Sequence, residues 1–193
     1  MRTAKDKRKT NETNISVNWN LDGEGKYKND TSIAFMDHML DLFARHGFFD
    51  LTVKATGDID VDDHHTIEDL GIVMGTVFKK AIGDKKGIYR YGFHLLPMDE
   101  SLALVSLDIS NRPYLNFDVT YQNPLQTFDS SLIKEFFSAF VINAGITLHI
   151  KLLAGDNTHH IIEAIFKGFA KALNQAVQLD TREKSIPSTK GII

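Results

Sequence analysis

Two adjacent histidine pairs stand in one local pattern: His64-His65-Thr66-Ile67-Glu68 and, 95 positions later, His159-His160-Ile161-Ile162-Glu163. Residues four apart share a helix face, so His64 with Glu68, and His159 with Glu163, can converge on one ion. Three-residue spacing offers His65–Glu68 and His160–Glu163 as well. Adjacent histidines diverge by roughly 100° around a helix, so each pair serves two ions on different sides more readily than one. The chain has eight His and no Cys. A metal site here is therefore built from His, carboxylate and water, which suits Mn, Fe, Zn or Ni and excludes thiolate and iron–sulfur chemistry. A single such pair also reads as a solvated helix start with its own charge partner. Two matched copies weigh against that reading.

The elements around the pairs repeat in the same order. In the first half an apolar-periodic helix through Phe35, Met39, Leu42 and Phe43 stops near Gly47. A strand-like run at 51–55 follows, then Gly57-Asp58, then the histidine pair opening a second helix through Ile67, Leu70, Val73, Met74, Val77 and Phe78. In the second half Leu132, Phe136, Phe137 and Phe140 mark a helix that stops near Gly145. A run at 146–150, Gly155-Asp156, and a pair opening a helix through Ile162, Ile165, Phe166, Phe169, Ala170 and Leu173 complete the match. This order implies an internal duplication joined near residues 83–90. Each half begins with β signals: alternation at Ile15, Val17 and Trp19 before Leu21-Asp22-Gly23, and alternation at 102–109 before Asn111-Arg112-Pro113 and a further strand at 114–120. Strands with helices on one face predict an α+β fold, a duplicated two-layer α/β sandwich with halves at 1–86 and 87–180 and a polar tail at 181–193.

Aligning the first helices of the halves sets His38 opposite Glu135, both metal-ligating types. A pseudo-symmetric arrangement then predicts one set of His38, His65, His160 and Glu163 and a mate of Glu135, His64, His159 and Glu68. The spacing names these eight as candidate ligands and leaves open which histidine serves which ion. His94 and His149 fall in strand-like stretches and read as structural.

The background excludes several function classes. The 193 residues carry 22 Lys+Arg against 25 Asp+Glu, a formal net charge of −3, with no basic stripe for nucleic acid. No apolar run reaches membrane-span length, and the charged start carries no signal-peptide core, so a cytoplasmic protein is expected.

The quoted motifs, together with Phe35-Met36-Asp37-His38, Ala44-Arg45-His46-Gly47, Arg90-Tyr91-Gly92, Pro97-Met98-Asp99-Glu100, Asn143-Ala144-Gly145-Ile146-Thr147 and Pro187-Ser188-Thr189-Lys190-Gly191, resemble the imidazoleglycerol-phosphate dehydratase family in its monofunctional form. The match runs from about residue 2 to the C-terminus. The resemblance implies dehydration of imidazole glycerol phosphate to imidazole acetol phosphate in histidine biosynthesis. It further implies two Mn²⁺ per active site, a fold related to the second domain of ribosomal protein S5, and a 24-subunit homo-oligomer. Arg90, Arg112, Lys167, Ser188 and Lys190 match the family's phosphate-binding positions, although Lys167, four residues after Glu163, also fits a helix ion pair. Many family members carry His where Glu135 stands. Glu12 matches the proton-transferring carboxylate, with His46 as a second polar candidate; on sequence alone Glu12 is a surface charge.

The chemistry demands such a site. The side-chain carbon that gives up the proton is too weakly acidic to ionise unaided, so ions on the imidazole ring would let the ring relay electrons and expel the hydroxyl through a diazafulvene-like intermediate. Two other classes fit part of the pattern. A dinuclear metallohydrolase acting on a phosphate ester would release inorganic phosphate, but no Asp-rich bridging cluster is present. A metal-storage or RNA-binding module would use the fold without turnover, and the net charge opposes RNA.

Overall fold

The computed structural model describes residues 2–193. Strands β1 (Thr3–Lys9), β2 (Thr13–Asn20), β3 (Tyr27–Asp30) and β4 (Asp50–Gly57) with helices α1 (Ala34–Gly47) and α2 (His64–Ile82) form the first half. Strands β5 (Tyr91–Met98), β6 (Ser101–Asp108), β7 (Tyr114–Asp118) and β8 (Thr147–Ala154) with α3 (Leu132–Ala144) and α4 (Thr158–Val177) form the second. The sheets have the same strand order, β1-β2-β4-β3 and β5-β6-β8-β7. In each, three strands run antiparallel and the last pairs in parallel. The α+β class and the duplication expected from sequence are both present.

Alternation builds each inner sheet face. Ile15, Val17 and Trp19 stand opposite Ala55, Val53 and Leu51 across β2–β4, all buried. Val105 and Leu107 stand opposite Ile150 and Leu148 across β6–β8. Helices cover those faces, and the helices of the two halves pack on each other, α2 on α3 and α1 on α4. The result is one continuous core between two sheets. Trp19 joins the halves: its ring meets Phe43 edge-on at 5.2 Å in its own half and Phe140 at 6.3 Å in the other.

The α2–α3 contact is close because Gly71 and Gly75 lie one turn apart on α2. A Cβ at Gly71 would stand 2.5 Å from the Phe136 carbonyl oxygen, and one at Gly75 2.5 Å from that of Phe140. Two strands have no apolar alternation of their own. β1 is a charged edge strand and β3 is Tyr27-Lys28-Asn29-Asp30; both exist by pairing with β2 and β4. The strand expected at 114–120 ends at Asp118. Helix α1 ends with Phe48, not a glycine, in the left-handed region at φ 56°.

The connector at 83–90 and the chain after α4 hold each other. Ile88 bridges Leu179, Gly87 N–H donates to the Ser185 carbonyl at 2.9 Å, and Asp180 N–H donates to Gly87 at 2.8 Å. Residues 181–193 form no helix or strand.

Candidate functional site

Helices α1 and α4 bring His38, His159 and Glu163 together. The Nε2 atoms of both histidines lie 2.9 Å from Glu163 Oε1. Lys167, one turn further on α4, donates to Glu163 Oε2 at 2.6 Å. Phe35 packs edge-on against the His159 ring at 5.4 Å and limits its rotation. The ligand atoms of His38, His159 and Glu163 all lie within 4.8 Å of one another, the one such donor group among the described residues. Burial opposes the Glu163 charge, yet hydrogen bonds from Lys167, His38 and His159 outweigh it and hold the carboxyl at about 2. The group is an anionic, His-rich donor set that fits a divalent ion of the first transition row.

The partition expected from sequence differs here. His159, not His160, stands with His38 and Glu163. His160 turns the other way and its Nδ1 donates to Glu100 Oε2 at 2.7 Å. His65, the second residue of the first pair, likewise donates from Nδ1 to Asp58 Oδ2 at 3.0 Å. The 100° offset of neighbours on a helix separates each pair, as the two-sided reading requires. On the first-half mate, His64 Nε2 and Glu68 are 4.0 Å apart across one turn, and Glu135 does not join a donor group.

Glu12 lies in the β1–β2 turn, where its carbonyl accepts from Asp58 N–H at 3.1 Å. Its charge contributes to raising the His65 pKa, behind the leading Asp58 hydrogen bond. His46, half-buried on α1, has its pKa lowered by burial and then by the positive charges of Lys167, Lys171 and Arg45. That favours a neutral ring able to accept a proton. His94 and His149 lie on β5 and β8 and belong to no donor group.

Four of the five phosphate-matched residues line one open pocket of about 720 Å³: Arg90, Arg112, Ser188 and Lys190. Arg90 is buried and sits at φ 71°. It grips Asp108 with Nε at 2.7 Å and Nη2 at 3.1 Å, and Nη1 donates to the Pro187 carbonyl at 2.7 Å. Arg112 adds a weaker contact to the same carboxylate at 3.4 Å. Lys167 lies outside this pocket, on Glu163. Sequence reasoning missed Asp58, Asp108 and the anchoring role of Glu100. Only the histidine–carboxylate geometry and the fork of Arg90 reveal them.

The profile of imidazoleglycerol-phosphate dehydratase matches residues 31–173. The chain belongs to that family. It is 56% identical to the imidazoleglycerol-phosphate dehydratase of Bacillus pumilus (strain SAFR-032) over 194 residues, covering 100% of both chains. It is 57% identical to that of Caldanaerobacter subterraneus subsp. tengcongensis, again over 100% of both. Among solved structures, the dehydratase from Staphylococcus aureus subsp. aureus N315 superposes with TM-score 0.82 at 44% identity, covering 92% of this chain and 99% of that one. The enzyme from Pyrococcus furiosus in complex with (S)-C348 gives TM-score 0.85 at 38% identity, over 97% and 100%. An imidazoleglycerol-phosphate dehydratase is a hydro-lyase of histidine biosynthesis, EC 4.2.1.19, so the metallohydrolase and non-enzymatic readings fall away. No helix among the described residues is long and apolar enough to cross a membrane.

Proposed function

We propose that this dehydratase converts imidazole glycerol phosphate to imidazole acetol phosphate with two Mn²⁺ per active site, as a cytoplasmic homo-oligomer of 24 subunits. The observation that carries the metal reading is the meeting of His38, His159 and Glu163. The eight residues His38, His64, His65, Glu68, Glu135, His159, His160 and Glu163 are the proposed ligands, and divalent ions held by them would supply Lewis-acid polarisation of the imidazole ring.

The chain's own residues have the remaining tasks. Lys167 on Oε2 orients the Glu163 carboxylate so that Oε1 faces the two histidines. Glu12, in an open turn beside His65 and Asp58, takes the proton from the second side-chain carbon, the neighbour of the ring-attached carbon that loses its hydroxyl. His46, with its pKa lowered, is the second proton carrier. Expulsion of the hydroxyl from the ring-attached carbon gives a diazafulvene-like species, loss of that proton gives the enol, which tautomerises to the ketone, and hydroxyl and proton leave together as water. Arg90, Arg112, Ser188 and Lys190 receive the phosphate, with Lys167 as the fifth residue of the set. Replacing the Pro187 carbonyl frees Arg90 Nη1 for a phosphate oxygen, while Asp108 keeps the rest of the fork in place. The tail at 181–193 closes over the same group.

The test is metal content of the purified protein alongside an assay for imidazole acetol phosphate. Two Mn²⁺ per chain after reconstitution and product without release of inorganic phosphate are the expected results. No more than one ion per chain, or phosphate release, would overturn the reading.

A further inference from the structure

The second histidine of each pair is held by a carboxylate, but the two halves supply it from different elements. His65 Nδ1 meets Asp58, at 3.0 and 3.3 Å from its two oxygens, in the turn just before α2. His160 Nδ1 meets Glu100 Oε2 at 2.7 Å, and Glu100 stands in the two-residue turn of the β5–β6 hairpin. That hairpin is the counterpart of β1–β2, whose turn carries Glu12. Glu12 makes no hydrogen bond to a histidine among the described residues; Asp58 has taken that place.

Glu100 is also fixed from behind. Its Oε1 accepts from Ser101 Oγ at 2.7 Å and from Asn157 N–H at 3.2 Å. Asn157 caps α4, its side chain accepting from the backbone N–H groups of His159 and His160. The carboxylate, the helix start and both histidines therefore form one hydrogen-bonded unit. In this geometry Nδ1–H donates to the carboxylate, which leaves the lone pair of each ring on Nε2. A carboxylate on the far nitrogen of a ligating histidine fixes tautomer and ring direction and makes the ligand more basic.

We infer that Glu100 and Asp58 are positioning residues that present His160 and His65 as Nε2 ligands, and that the service of Asp58 to His65 is what leaves the matching hairpin carboxylate, Glu12, free for proton transfer. The inference rests on the reading of His65 and His160 as metal ligands. It makes the two halves chemically unequal: one hairpin carboxylate is tied to a ligand and the other is available to substrate.

Titrating metal-free protein with Mn²⁺, and reading bound ion by electron paramagnetic resonance, tests it. Glu100→Gln and Asp58→Asn should each weaken one class of Mn²⁺ sites by about 10–100-fold, with unchanged melting of the metal-free protein. Glu12→Gln should bind Mn²⁺ like the parent and lose turnover instead. Ser101→Ala, which only loosens Glu100, should give a smaller weakening in the same class of sites. His160→Ala separates the two levels of the argument. If it keeps the full Mn²⁺ load, the ligand assignment fails and the inference with it. If it loses an ion while Glu100→Gln binds as the parent does, the ligand assignment stands and the positioning role is overturned.

Discussion

Glu163 is the residue whose replacement the structure prices most directly. Its carboxylate is largely buried and accepts from Lys167, His38 and His159, and these contacts bring its pKa to about 2. A carboxyl depressed from the ordinary glutamate range stabilises the fold at any pH above that range, and the contribution is lost as pH falls through the folded value. At about 1.4 kcal/mol per unit, the charge is worth up to about 3 kcal/mol near pH 7. Glu163→Gln keeps the shape, leaves the mostly buried Lys167 without its counter-ion, and removes that contribution. For a chain of this size about 3 kcal/mol corresponds to roughly 6–12 °C in melting temperature. The assay is thermal unfolding of chelator-treated parent and variant at equal protein concentration, from pH 7 down to pH 3. The gap should be largest at neutral pH and should narrow as pH falls below about 4.5, where the unfolded carboxyl takes up its proton. A gap that stays constant across that window, or a variant as stable as the parent at pH 7, would refute the claim that the Glu163 charge is held by its three donors.

Replacing His64 or His160 by Ala should lose metal and turnover together, since ligand ordering is coupled to metal binding; full turnover with the parental metal load would reject either residue as a ligand. Glu12→Gln should retain metal and substrate binding while kcat falls by about 10²-fold or more, and near-normal turnover would move the proton transfer to His46. Ending the chain after Thr181 removes the bonds from Ser185 to Gly87 and from Pro187 to Arg90. It should raise KM and lower kcat while destabilising by only about 2 kcal/mol, at about 1 kcal/mol per hydrogen bond; unfolding or parental kinetics would remove the tail from the phosphate site. Subunits of His38→Ala and His65→Ala, each inactive alone, should regain activity at about a quarter of sites when co-assembled at random if copies share sites; no recovery would place both residues in sites within one chain.

The duplication was legible because its markers are local. Two histidine pairs, two Gly-Asp turns and two glycine-stopped helices recur in order, and each belongs to a short segment whose period is visible in the chain. The edge strands β1 and β3 were not, because Lys5, Lys7 and Lys9 or Lys28 and Asp30 give no apolar alternation; their strand character comes from partners. The same limit governs the site. Helical spacing allowed either histidine of a pair to join Glu163, and only the packing of α1 on α4 selects His159. Asp58 stands in the sequence only as part of the repeated Gly-Asp marker, and the pairing of Glu100 with His160 spans sixty positions and depends on the β5–β6 hairpin.

Pseudo-symmetry has a further consequence for how these donors are used. One chain brings three of the proposed ligands to a common point, and His65 and His160 stand outside that group, each held at Nδ1 by a carboxylate. A half-buried histidine with an anchored Nδ1 gains little for the isolated fold, since an ion pair open to solvent contributes about 0–1 kcal/mol. The same arrangement is effective where Nε2 must meet a group the chain does not itself provide. Three donors at one place also leave positions open on an ion that prefers six. Unfilled positions on one face and pre-set donors on another are complementary needs. A second copy of the chain satisfies both with no new residue type, and this is the physical argument for the proposed homo-oligomer: assembly would complete the site as well as bury surface.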